Sequence, residues 1–167
     1  SVRSSASIVN SAMSVALPPD DDRFAVIEGD GAAWMAAQED CADVLLVDGY
    51  DGHAISEALV SPAFFDQCRR ALTPDGVLVV NLWGSAAAFP AYLDRIGESF
   101  AGRVLCLPSL TRGNVAVLAF KRDQGAPRRQ DLRAHARQLE ARHGLEFLRF
   151  AEDLFDANPH SGNRLPV

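Results

Sequence analysis

An α/β fold built on a mainly parallel sheet is what this sequence predicts, and three observations carry the expectation. Short apolar runs alternate with stretches of helical period between Phe24 and Ile96. One of these runs, Val44–Asp48, is apolar almost throughout, as in a strand with both faces covered. The alternation then gives way to two strands, Arg103–Leu107 and Asn114–Phe120. A short polar turn, Ser109–Gly113, joins them with the spacing of an antiparallel hairpin.

Each element follows from local chemistry. Residues 4–17 read as a helix, because Val9, Ala12, Met13 and Ala16 recur at helical spacing. Pro18-Pro19 and the Asp20-Asp21-Asp22 run end it. Phe24–Glu28 is a short strand, and Ala32–Ala37 a short alanine-rich helix. Ser61 and Pro62 supply the N-cap and first turn of a helix that runs to Leu72 and buries Phe64, Phe65, Cys68 and Leu72. Thr73-Pro74-Asp75-Gly76 is a turn, and Gly76–Trp83 a buried strand. Residues 86–99 form a helix with Phe89, Leu93 and Ile96 on one face. Beyond the hairpin, residues 121–129 are a basic linker. Asp131–His143 is a polar helix stopped at Gly144, Phe147–Phe155 a last short helix, and the tail from Asn158 irregular. The expected organisation is a sheet domain over residues 1–122 and a helical extension, 123–167, packed on it.

Composition narrows the function. Of 167 residues, 48% are hydrophobic and 23% charged, ordinary for a globular chain of one core. The net charge of −6 argues against nucleic acid or an anionic membrane as the main partner. Cys41, Cys68 and Cys106 are scattered and in no metal-ligand spacing, which predicts reduced thiols in a cytoplasmic protein and no metal site. No apolar run approaches the ~20 residues of a membrane span.

The candidate chemistry sits at two strand ends. Glu28-Gly29-Asp30-Gly31 follows one strand, and Asp48-Gly49-Tyr50-Asp51 follows the next. Open α/β sheets bind ligands outside the carboxyl ends of their strands, so the carboxylates there suit a polar or cationic small molecule. Each has a structural competitor. Asp30 could cap the helix from Ala32, Asp48 could bind backbone N–H groups, and Asp51-Gly52 could be an ordinary turn. Tyr50 could line a pocket or block a channel. His53 has the acid–base range for chemistry near neutral pH, yet a single histidine in a polar loop is usually surface. Trp83, on the same sheet edge, suits ligand stacking or rim packing equally.

Gly29-Asp30-Gly31, Asp48-Gly49-Tyr50-Asp51 and the run Phe64-Phe65 through Cys68-Arg69-Arg70-Ala71-Leu72-Thr73-Pro74-Asp75-Gly76 occur in an order that resembles the C-terminal part of spermidine synthases. The likeness covers Leu17 to Arg122, and Leu17-Pro18-Pro19-Asp20 through Arg23-Phe24 is similar to that family's lead into the first strand. The resemblance implies a Rossmann-type sheet like that of S-adenosylmethionine methyltransferases, parallel strands plus the terminal antiparallel hairpin, here incomplete at its N-terminus. It implies transfer of an aminopropyl group from decarboxylated S-adenosylmethionine to a diamine such as putrescine, with no further cofactor. Asp30 would accept from the adenine amine, with Gly29 and Gly31 beside it in the donor site. Asp48 would be the general base, and Asp51, with Tyr50, would face the diamine. These residue types suit the chemistry. A carboxylate must take the proton of the attacking amine, and a second one registers a dication.

The sequence departs from that pattern in four places. No G-x-G lies upstream of Gly29, so the glycine-rich loop that brings backbone close to the donor has no counterpart. Val2-Arg3-Ser4-Ser5 offers no acidic residue for the ribose. The family's small N-terminal β-domain is also without counterpart. The loop after Asp51 is short and proline-free, and Tyr50 replaces a small residue. These departures predict weak or no donor binding by this chain alone, and a fragment or a remodelled relative. They also predict unpaired edges on Phe24–Glu28 and Val44–Asp48, covered by self-association into a homo-oligomer or by segment 127–167. Two other readings stay open: a different S-adenosylmethionine-dependent transferase, and a non-catalytic assembly or regulatory domain of the same fold.

Overall fold

The computed structural model describes residues 5–9 (backbone alone), 19–50, 55–109 and 113–167. The chain opens with β1, Ser5–Val9, which pairs in parallel with β2, Phe24–Glu28, in the register Ser5↔Phe24 to Val9↔Glu28. This corrects the helix expected over 4–17. Strand geometry suits the β-branched pair Ile8-Val9, and the ladder with β2 outweighs a weak helical period. Residues 10–18 lie outside the described ones. A six-residue helix, α1 (Gly31–Ala36), follows β2.

The main sheet comprises β3 (Ala42–Val47), β4 (Leu72–Trp83), β5 (Val104–Pro108) and β6 (Asn114–Phe120) in the order β3-β4-β6-β5. β3 and β4 are parallel, and β6 runs antiparallel to both β4 and β5, so the terminal hairpin is present as expected. The expected turn at Thr73–Gly76 is absorbed into β4. Leu72 already pairs with Ala42, and the register then jumps to Val44↔Val77, so Pro74 and Asp75 bulge outward, where proline costs no ladder bond.

Helices α2 (Pro62–Ala71) and α3 (Phe89–Ser99) cover one face of this sheet. Ser61 caps α2 by accepting the Phe64 N–H at 3.2 Å. Phe64, Phe65, Cys68 and Ala71 of α2 meet Ile96 of α3, Leu78, Val80 and Leu82 of β4, and Val117 and Ala119 of β6 in the main core. From Gly76 to Leu82 every second residue of β4 is buried, the period of a strand with one face packed.

The opposite face is covered only at its far end. Leu105 of β5 packs there with Phe155 and Leu165, flanked by Phe120 and Leu132. These contacts come from α4 (Arg129–His143), α5 (Phe147–Ala157) and the last residues. Gly144 ends α4 in the left-handed region at φ 69°, as its position predicts. The tail expected to be irregular is docked instead. Leu165 N–H donates to Pro127 O at 3.1 Å, and Leu165 is buried.

At the other end of the sheet, Val44 is 54% and Leu46 78% exposed. The reading of Val44–Asp48 as a strand covered on both faces is therefore corrected. Its apolar run covers one face with Leu45 and Val47 and leaves the other open. Segment 127–167, one of the two covers expected for this edge, docks on β5 at the opposite end of the sheet.

Candidate functional site

Two strand-end segments and one side chain between them define the site. Asp30 ends the β2 segment in an extended conformation and caps α1, its Oδ1 accepting the N–H groups of Ala32 at 2.8 Å and Ala33 at 3.1 Å. The capping role is thus real, and it occupies one carboxylate oxygen. A Cβ at Gly29 would meet nothing within 4 Å, and the φ of Gly29 lies outside the left-handed region. Neither crowding nor backbone conformation calls for glycine there. What glycine supplies at that point is open backbone at the carboxyl end of a strand, where ligands approach.

Asp48 follows the last residue of β3 and is exposed. Its carboxylate has no hydrogen-bond or ion-pair partner among the described residues. The competing structural role, binding of backbone N–H groups, is not seen there. Next to it, Gly49 has a packing reason. A Cβ there would lie 2.3 Å from Leu59 Cδ1, and one on Gly31 would lie 3.9 Å from Leu59 Cδ2. Leu59 thus fills the space of a side chain at Gly49, and its other methyl group lies within van der Waals reach of where one on Gly31 would stand. Leu59 belongs to a short 3-10 turn, Glu57–Val60. It escaped the sequence reading because it sits in a connection with no periodicity; only the short apolar run Ala58-Leu59-Val60 marked it.

Tyr50 ties this region to β4. Its hydroxyl oxygen accepts the backbone N–H of Trp83 at 2.6 Å, and Tyr50 forms an antiparallel bridge with Ile55. Ser56 N–H donates to Gly49 O at 3.2 Å, closing the same turn. The Tyr50 ring packs against the main core, so it is a wall as much as a surface group. Trp83 ends β4 half exposed, with Gly113 near its indole nitrogen. Asp51 and His53 lie outside the described residues.

Two shallow grooves flank the hairpin. One of about 440 Å3 runs between Asn81, Asn114, Leu107 and Phe150. The other, of about 370 Å3, is bounded by Ser109, Arg149, Asp153 and Asp156. Neither is lined by Asp30 or Asp48, whose carboxylates stand on open surface. Thiol chemistry is remote from the site. Burial pushes the Cys68 thiol up to about 12, and burial also raises that of Cys106, so neither offers a thiolate near neutral pH. Among the described residues no three His, Cys, Asp or Glu side chains group as metal ligands would. No helix is long and apolar enough to cross a membrane.

Comparison with known proteins identifies the family of the chain. The chain is 40% identical over 151 residues to a polyamine aminopropyltransferase of Chromobacterium violaceum, covering 90% of this chain and 58% of that protein. It is 40% identical over 149 residues to a polyamine aminopropyltransferase of Neisseria meningitidis, covering 87% and 56%. The chain thus spans little more than half the length of these relatives. Among solved structures, a spermidine synthase in complex with the transition-state analogue AdoDATO aligns at TM-score 0.53 and 25% identity, over 62% of this chain and 38% of that one. Human methyltransferase-like protein 13 in complex with SAH, at TM-score 0.59 and 19% identity over 86% of this chain and 64% of its own, shares the fold. The profile of the spermine/spermidine synthase domain matches residues 6–111, and the strand-end glycine and aspartate segments lie inside that match. The chain belongs to the spermine/spermidine synthase domain family.

Proposed function

We propose that this chain carries the acid–base half of an aminopropyltransferase site, with decarboxylated S-adenosylmethionine as donor and a diamine such as putrescine as acceptor. The observation that carries the reading is the exposed carboxylate of Asp48 at the carboxyl end of β3, without a hydrogen-bond or ion-pair partner among the described residues, next to Gly49, against which Leu59 packs. In this reading Asp48 accepts a proton from the acceptor amine as its nitrogen attacks the propyl carbon next to the sulfonium. The carbon–sulfur bond breaks, its electron pair returns to sulfur, and methylthioadenosine leaves neutral. A carboxylate in that place also favours binding of the donor, whose sulfonium carries a positive charge. Asp30 keeps one oxygen free after capping α1, which suits an adenine amine, and the open backbone at Gly29 suits close approach of the nucleoside. Asp51 is assigned to the far ammonium of the diamine and Tyr50 to the wall beside it. The names of the Chromobacterium and Neisseria relatives support aminopropyl transfer.

The test is calorimetry of the chain with methylthioadenosine and putrescine, followed by an assay of methylthioadenosine release from decarboxylated S-adenosylmethionine. Asp48→Asn should lower turnover by about 100-fold or more while leaving the melting temperature unchanged. A lower melting temperature with turnover intact would assign Asp48 a structural role. Absence of nucleoside binding at millimolar concentration would remove the donor site from this chain.

We further propose that two copies associate through the β3 edge, which has no ladder partner on its outer side among the described residues. The three free cysteines support a reducing, cytoplasmic setting.

A further inference from the structure

We infer that Tyr50 is a positioning residue, whose phenolic oxygen replaces a missing ladder acceptor and holds the turn after Asp48 onto the end of β4. The inference rests on the reading of Asp48 given above but concerns a different group and a different step, the placing of the base.

The argument begins with strand parity. Along β4, successive backbone N–H groups point to opposite neighbours. Gly84 N–H donates to Gly113 O at 2.8 Å, on the β6 side. Trp83, one residue earlier, therefore turns its N–H toward β3. That strand has already ended, because its last rung is Val47↔Val80. With no carbonyl opposite, the Trp83 N–H would be an unpaired donor at the mouth of the site. Tyr50 Oη fills the position at 2.6 Å. A phenylalanine has the same ring and no acceptor, so the hydroxyl alone supplies the contact.

The same tyrosine is fixed at its backbone. It bridges Ile55, which is 6% exposed, while Gly49 O accepts from Ser56 N–H. Gly49 and Tyr50 are thus held by Ser56 and by the buried Ile55, and to β4 through the Tyr50 hydroxyl. Asp48 immediately precedes this pair. The Tyr50 bond is the tie that links this pair directly to the backbone of the last residue of β4, and it thereby holds the chain two residues beyond Asp48. An amine held at the Asp48 carboxylate feels any slackening of the tie; a nucleoside held at Gly29-Asp30-Gly31 does not.

Tyr50→Phe in the full chain tests this, since it keeps the packing of the ring. Amide hydrogen exchange should accelerate by about tenfold at Trp83 and across residues 49–56, with β5 unchanged. Putrescine affinity, measured with methylthioadenosine present, should fall by about tenfold while methylthioadenosine affinity stays constant. Unchanged exchange at Trp83 would overturn the inference outright. Faster exchange with equal loss of both affinities, or of neither, would make the bond structural and overturn the positioning role. If the wild-type chain binds neither ligand, the aminopropyltransferase reading and the positioning role of Tyr50 in it both fail. The exchange data then still report separately whether the tie exists.

Discussion

Gly29 and Gly49 show how two glycines in like positions have different physical reasons. Gly49 is glycine because Leu59 Cδ1 occupies the space of a side chain. Gly29 has no neighbour within 4 Å of a Cβ. Gly29→Ala should therefore raise stability slightly, by about 0.4–1 kcal/mol, through the entropy of the unfolded chain. The same change should weaken methylthioadenosine binding, because its methyl group would stand where the nucleoside approaches. A melting curve and a calorimetric titration on one variant check both halves. Unchanged nucleoside affinity would remove Gly29 from the donor site. At this scale the sequence was informative about identity and silent about partners. The aspartates at both strand ends stood out by position, and capping by Asp30 is a local contact that the sequence already offered, whereas bonding of Tyr50 to Trp83 depends on atoms 33 residues apart along the chain.

Among the elements, the join between α5 and β5 combines the packing of Leu105 on Phe155 with one polar side chain. Asn158 accepts the Cys106 N–H at 2.7 Å and donates to Cys106 O at 2.7 Å, so its amide imitates a neighbouring strand along the outer edge of β5. It also donates to Leu154 O at 2.7 Å, holding the end of α5. Asn158→Ala leaves buried backbone groups of Cys106 unsatisfied and should cost about 2–3 kcal/mol, read as a lower urea midpoint. A loss below about 0.5 kcal/mol would mean that water replaces the amide there. The helices themselves were legible, since Ser61, Pro62 and Gly144 mark their ends locally. The strand β1 was not, because Ser5–Val9 is short and its identity comes from pairing with β2.

For the molecule as a whole, the asymmetry of the main sheet is the dominant feature. One face is packed by α2 and α3, and the far end of the other by α5 and the tail. The β3 end keeps Val44 and Leu46 in solvent beside an edge without a ladder partner among the described residues. An apolar edge of this kind pairs with whatever strand reaches it. Leu46→Lys should shift the chain from dimer to monomer in sedimentation velocity without unfolding it, because a charge at an edge opposes strand addition. A wild-type chain that sediments as a monomer would overturn association through β3.

The sequence by itself determined the α/β class, the terminal hairpin, the order of the glycine and aspartate segments and the helix ends. All of these depend on residues within a few positions of one another. Tertiary structure decided which face of β3 is bare, where segment 127–167 docks, and that Tyr50 ties the chain after β3 to the end of β4. Those outcomes depend on contacts such as Tyr50 to Trp83 and Asn158 to Cys106, whose partners are separated by 33 and 52 residues. Periodicity reports which side of an element is apolar, but only the packed chain shows what meets it.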